Sequence, residues 1–150
     1  MEHVFDVCGL RCKICPVDAL AYALLLLRYR SRSRRELERR LLSKGYSRDE
    51  VEEVLERLDD MGYIDDVEMA RDYVRAGVER GWSRIRIIRG LRERGVEEGA
   101  ISEAMEEYDE DRVVRVLKMK LRGKGREEVI RFLRNRGFGW DMIRRVLSDE

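Results

Sequence analysis

One proline and one histidine serve a chain of 150 residues, Pro16 and His3. With His3 the only histidine, a histidine-based triad or a histidine base deeper in the fold is excluded. A single proline, with few β-branched runs, argues against a sheet protein. The longest apolar run, "ALAYALLLL" at residues 19–27, is too short to span a bilayer. It also lacks the cleavage pattern of a signal peptide. No Walker loop and no glycine-rich phosphate cradle occurs, so the two commonest phosphate-handling motifs are missing. These absences lead to the expectation of a soluble, cytoplasmic, non-enzymatic protein with reduced thiols, no cofactor and no membrane contact.

Lysine is scarce too. Of 32 basic residues only five are Lys, leaving 27 Arg. Arginine makes bidentate contacts with carboxylate and phosphate, so the bias suits phosphate-bearing or acidic partners. A heat-adapted surface of ion-pair networks would give the same composition. Charged residues make up 42% of the chain, well above the usual quarter, and the 43% that are apolar suffice for packed cores. Five of the twelve glycines fall where helical periodicity stops, at Gly45, Gly62, Gly81, Gly95 and Gly137, where left-handed caps would use them. The expected class is all-α.

Three stretches share one pattern: "RRLLSKGYSRDEVEEVL", "RGLRERGVEEGAISEAM" and "RFLRNRGFGWDMIRRVL". They align on Gly45, Gly95 and Gly137, at spacings of 50 and 42 residues. Eight residues before each glycine sit Leu37, Ile87 and Val129, and four before sit Leu41, Leu91 and Leu133. Tyr46, Val96 and Phe138 follow directly; Val51, Ile101 and Ile143, then Leu55, Met105 and Leu147, lie six and ten residues on. Steps of three and four are the helical period, so each stretch is two amphipathic helices meeting at a glycine cap. Ser33 with Glu36 and Ser47 with Glu50 have capping-box spacing. A longer helix is expected before each pair, at roughly residues 17–30, 66–80 and 111–122, the first opened by Pro16. The organisation is then a lead at 1–15 and three three-helix modules at 16–64, 65–108 and 109–150. Small modules bury little core alone, so neighbours should share interfaces in an elongated, curved array.

Charge is segregated although the net is only +1. Residues 28–44 carry +6, 47–72 carry −8, 80–94 carry +5, 97–111 carry −8 and 112–126 carry +7. The middle helices of the first two modules are basic and their third helices acidic. At about 100° per residue, Arg39 lies nearly opposite Leu37 and Leu41, and its repeat equivalents are Arg89 and Arg131. This outward row either pairs with the acidic helices or tracks phosphates or an acidic groove. A second row, Lys44, Arg94 and Arg136, precedes the caps, where cations complement the helix dipole. Arg35, Arg84, Arg86, Arg92 and Arg134 complete the candidate binding residues.

"CGLRCKIC" spaces Cys8, Cys12 and Cys15 as C-x3-C-x2-C. The spacing resembles the cluster-binding motif of radical S-adenosylmethionine enzymes, but nothing in the sequence supplies the strands of their barrel. A zinc or cluster site completed by His3 has suitable ligand types and lacks a second pair. The reading adopted is a free-thiol lead with no metal. Trp82, Trp140, Tyr63, Tyr73 and Phe138 are expected as core anchors, not base-stacking platforms.

The whole constellation resembles the RecX regulatory proteins of bacterial recombination over residues 19–148. The likeness is strongest in "RSRSRRELERRLLSKGYSRDEVEEVLERLDDMGYIDDVEMARDYV". Ser33, Glu36, Leu37, Leu41 and Gly45 fit the family's first hinge, and Gly62-Tyr63-Ile64-Asp65-Asp66, Met69-Ala70 and Tyr73-Val74 fit its junction into the second module. "RGWSRIRIIRGLRERGV" and "IRFLRNRGFGWDMIRRVL" look like the later hinges. The resemblance implies a monomeric, non-enzymatic array that binds the RecA filament on single-stranded DNA. Such proteins restrain the filament's ATPase and strand exchange in DNA repair and the SOS response, with weak direct DNA binding besides. The alternative is an autonomous helix-turn-helix-like DNA-binding protein, which the acidic third helices disfavour because they would repel phosphate. Residues 1–15 have no counterpart role in the family.

Overall fold

The computed structural model describes residues 17–148. Among them are nine helices and no strand: α1 Ala19–Tyr29, α2 Arg34–Lys44, α3 Arg48–Asp60, α4 Asp66–Glu79, α5 Arg84–Glu93, α6 Glu98–Met105, α7 Glu110–Lys120, α8 Arg126–Asn135 and α9 Trp140–Leu147. The all-α class is as expected. The chain forms two compact units, one ending at Asp66 and one beginning at Val67.

Local chemistry sets the helix ends. The Asp18 carboxylate accepts from the backbone N–H of Leu20 at 2.6 Å and of Ala21 at 3.4 Å. Helix α1 therefore starts two residues later than periodicity alone predicts, and it ends at Arg30, whose backbone is extended. Pro16 lies outside the described residues. Helix α7 starts at Glu110, one residue early, because Asp109 caps the Arg112 N–H at 2.8 Å. It stops at Lys120, two residues before the expected end. Ser33 forms a reciprocal capping box with Glu36, at 3.1 and 3.2 Å. The expected second box is only half made: Ser47 Oγ accepts from the Glu50 N–H, but the Glu50 carboxylate takes the Ser47 hydroxyl.

At the three hinges the residue after the glycine donates its N–H five residues back, Tyr46 to Leu41, Val96 to Leu91 and Phe138 to Leu133, at 3.1–3.3 Å. Gly45, Gly95 and Gly137 have φ of 106°, 73° and 81°, a left-handed turn open to glycine at little cost. Val96 and Phe138 are buried and Tyr46 half-buried, so the apolar residue packs back on the helix it follows.

The first unit closes over Ala23, Leu37, Leu41, Val51, Leu55 and Leu58. In the second unit, α4 to α9 share one core running from Met69 to Val146, with Val74, Ile87, Leu91, Leu117 and Leu133 among its most enclosed side chains. The expected sharing of core between small neighbouring modules is met there. Truncating such a leucine to alanine costs about 2–5 kcal/mol.

The aromatic residues divide. Phe138 is buried, and Tyr73 and Trp82 pack partly against the core. Trp140 and Tyr63 are corrections to the core-anchor expectation: they are 53% and 56% exposed. Both stand at loop-to-helix junctions, where the inward position is taken by a neighbour, Phe138 or Ile64.

Candidate functional site

The three middle helices α2, α5 and α8 turn one stripe inward and the opposite stripe to solvent. Leu37 and Leu41, Ile87 and Leu91, and Val129 and Leu133 are buried. Arg39, Arg89 and Arg131 are exposed, as the period requires. Among the described residues these three have no carboxylate partner and no ring contact, and neither has Arg35.

In the second unit several carboxylates bond to other arginines. Glu103 takes Arg71 at 2.6 Å and Glu107 takes Arg75 at 2.7 Å, both arginines belonging to α4. Arg84 reaches Glu110 at 3.1 Å, and Arg92 holds Glu98 with both nitrogens. The Arg92 guanidinium keeps the Glu98 carboxyl below its ordinary range, chiefly through those hydrogen bonds. Arg112 lowers Glu79 in the same way. Arg84 and Arg92 are thus drawn into ion pairs, while Arg89 between them on α5 stays open.

The second row has a different character. Lys44 Nζ lies 5.3 Å from the Tyr22 ring centre, the Arg94 guanidinium 4.3 Å from Tyr73 and that of Arg136 3.7 Å from Phe132. Arg94 also donates to the Gly90 carbonyl at 2.9 Å. Each cation closes a helix end over an aromatic face, which is a packing role. Arg134 sits 5.4 Å over Trp140 and Arg86 4.2 Å over Trp82.

Arg35, Arg39 and Lys44 belong to the first unit and the remaining candidates to the second. Within the second unit, Arg86 and Arg136 line one cleft of about 200 Å³ together with Arg80 and Lys120. Sequence reasoning missed Arg80 and Lys120. They follow α4 and end α7, and only tertiary packing brings them beside Arg136.

Among the described residues no cluster of His, Cys, Asp or Glu could hold a metal, and no helix is long and apolar enough to cross a membrane. His3, Cys8, Cys12 and Cys15 lie outside the described residues.

Residues 19–58 match the family model described as "RecX, first three-helix domain", and residues 65–105 match "RecX, second three-helix domain". The chain is 38% identical over 139 residues to the regulatory protein RecX of Pelodictyon phaeoclathratiforme, covering 86% of each. It is 37% identical to the regulatory protein RecX of Halorhodospira halophila, covering 81% of each. The crystal structure of RecX from Lactobacillus salivarius superposes with a TM-score of 0.73 at 22% identity, over 86% of this chain and 92% of that one, a likeness of fold. Family models, curated relatives and fold agree: this chain belongs to the RecX family of regulatory proteins.

Proposed function

We propose that the chain acts as a monomer in the cytoplasm, binds the RecA filament on single-stranded DNA and restrains its ATPase and strand exchange. Family membership makes it a regulatory protein. The observation that supports the finer reading is the set of three unpaired guanidiniums, Arg39, Arg89 and Arg131, at equivalent places on the three middle helices. In a chain with 31 acidic residues, leaving the same position free in every repeat keeps it available. A free guanidinium meets a phosphate or a carboxylate with two parallel hydrogen bonds and breaks no internal pair to do so. A protein that engages several filament subunits through repeated contacts resists the relative movements turnover requires, and several weak contacts on one chain add through effective concentration. The same chemistry allows weak direct binding to DNA.

The test is the triple variant Arg39→Glu, Arg89→Glu, Arg131→Glu, compared with wild type in filament binding and RecA ATPase inhibition at matched salt. Helical content and melting should hold while inhibition is lost. A folded triple variant that inhibits normally refutes the role of the row. Wild-type binding that prefers bare duplex of defined sequence over RecA-coated single strands would favour the autonomous DNA-binding alternative.

A further inference from the structure

The cleft formed by the end of α4, the start of α5, the end of α7 and the end of α8 gathers four cations and no acid. Arg80, Arg86, Lys120 and Arg136 line it, with Trp82 and Phe132 between them. The side chains are held in place and not merely near. The guanidiniums of Arg86 and Arg80 lie 4.2 and 5.1 Å from the Trp82 ring centre, and that of Arg136 lies 3.7 Å from Phe132. Lys120 Nζ donates to the Arg80 carbonyl at 2.6 Å. Ser83 ties the walls together by donating to the Arg136 carbonyl at 2.7 Å.

All four cations are solvent-exposed, and like charges on one small surface repel one another. Six other arginines of the second unit, Arg71, Arg75, Arg84, Arg92, Arg112 and Arg145, have carboxylate partners. None of the cations of this cleft forms an ion pair with a carboxylate among the described residues. The amino end of α5, at Ser83, adds the positive end of a helix dipole. The Trp82 ring already carries two guanidiniums, so the cleft suits an anion better than a stacked base. A lone carboxylate brings one negative charge to four cations, whereas phosphate groups bring more charge and more acceptor oxygens to the same volume.

We infer that this cleft is a phosphate-binding site, taking either consecutive phosphodiesters of a nucleic-acid strand or the pyrophosphate of a free nucleotide. It stands apart from the unpaired row, since Arg39, Arg89 and Arg131 are not among its lining residues.

The full chain is titrated with inorganic pyrophosphate while the Trp82 indole N–H is followed by heteronuclear NMR, assigned by comparison with Trp140→Phe. A saturable shift that sodium chloride at equal ionic strength does not reproduce is expected. The double variant Arg86→Gln, Lys120→Gln should bind pyrophosphate about tenfold more weakly or worse, having lost two charge-assisted contacts, while circular dichroism shows native helical content. Short oligothymidylate is the second arm. Displacement of pyrophosphate by the oligonucleotide supports the proposal and assigns strand phosphates; pyrophosphate binding that the oligonucleotide does not disturb supports it and assigns a free nucleotide. No saturable shift in the wild type, or equal affinity in a folded double variant, overturns it. So does a glutamate-rich peptide that binds more tightly than pyrophosphate. The wild-type titration decides the matter even where the variant fails to fold.

Discussion

Ser83 and Arg136, 53 residues apart in the chain, are joined by a 2.7 Å hydrogen bond from the serine hydroxyl to the arginine carbonyl. The same hydroxyl accepts from the Arg86 N–H at 3.3 Å, so one buried atom caps the start of α5 and satisfies the end of α8. Ser83→Ala should leave both groups unsatisfied and cost about 2 kcal/mol. Ser47, an exposed cap with no such second duty, should cost about 1 kcal/mol or less when replaced by alanine. Urea unfolding of the two variants followed by far-ultraviolet circular dichroism, which reports the helices of both units, checks the ordering. Equal losses would mean that the bond to Arg136 adds nothing.

Glycine inside a helix is normally a weakness, and Gly90 and Gly99 separate two cases. At Gly99 in α6, an added Cβ would have nothing within 4 Å of it. Gly99→Ala should therefore stabilise, by up to about 1 kcal/mol. At Gly90 an added Cβ would collide with the Tyr73 hydroxyl and stand 2.9 Å from its Cζ. That ring cannot swing away freely, because Arg94 lies 4.3 Å over it and Trp82 5.7 Å beside it. Gly90→Ala should destabilise by about 1–3 kcal/mol, as overpacking does. Thermal melting should move in opposite directions for the two alanines.

Tyr108 sets an alkaline limit. Its ring is buried and its hydroxyl donates to the Trp82 carbonyl at 2.9 Å. Burial pushes the phenol up to about 12, with Arg84 opposing and Glu110 adding. The ordinary value is about 10, so the native state holds this proton more tightly than the unfolded chain. That contribution is fully present below about pH 10 and is lost as pH rises toward about 12. Ultraviolet titration should show Tyr108 ionising late, and Tyr46, which burial also raises, above the ordinary range. Tyr108→Phe should abolish the Tyr108 phase and flatten the fall in melting temperature across the window.

Much of this architecture was legible in the sequence because it is written in local signals. Gly45, Gly95 and Gly137 marked hinges whose left-handed backbone and backward hydrogen bond follow from the position of one residue type. The inward and outward faces of α2, α5 and α8 followed from period alone. What escaped depends on distant partners. Nothing near Arg89 in sequence shows that Glu103 and Glu107 bond to Arg71 and Arg75 on α4 and leave α5 aside. Nor could spacing place Lys120 beside Arg80. Trp140 and Tyr63 look like core residues by type, yet the inward places beside them belong to Phe138 and Ile64.

Paired and unpaired arginines should respond oppositely to charge reversal. Arg71 sits among Glu103 at 2.6 Å, Glu107 at 3.4 Å and Glu68 at 3.5 Å. Arg71→Glu replaces three attractions with three repulsions on a partly exposed surface. A loss of about 1 kcal/mol is expected at low salt, since exposed pairs are individually weak. Arg89 has no such partner among the described residues, so Arg89→Glu should leave melting within about 0.5 kcal/mol of wild type. Salt should compress the stability difference, because at 0.1 M the Debye length is about 10 Å and exposed charges are screened beyond it. Binding should invert the order: Arg89→Glu weakens association with the RecA filament, while Arg71→Glu, once folded, retains it. Melting and filament binding measured on the same preparations test both halves. A destabilised Arg89→Glu would reveal an internal partner for that side chain. A stable Arg89→Glu that binds filaments as wild type does would remove Arg89 from the interface.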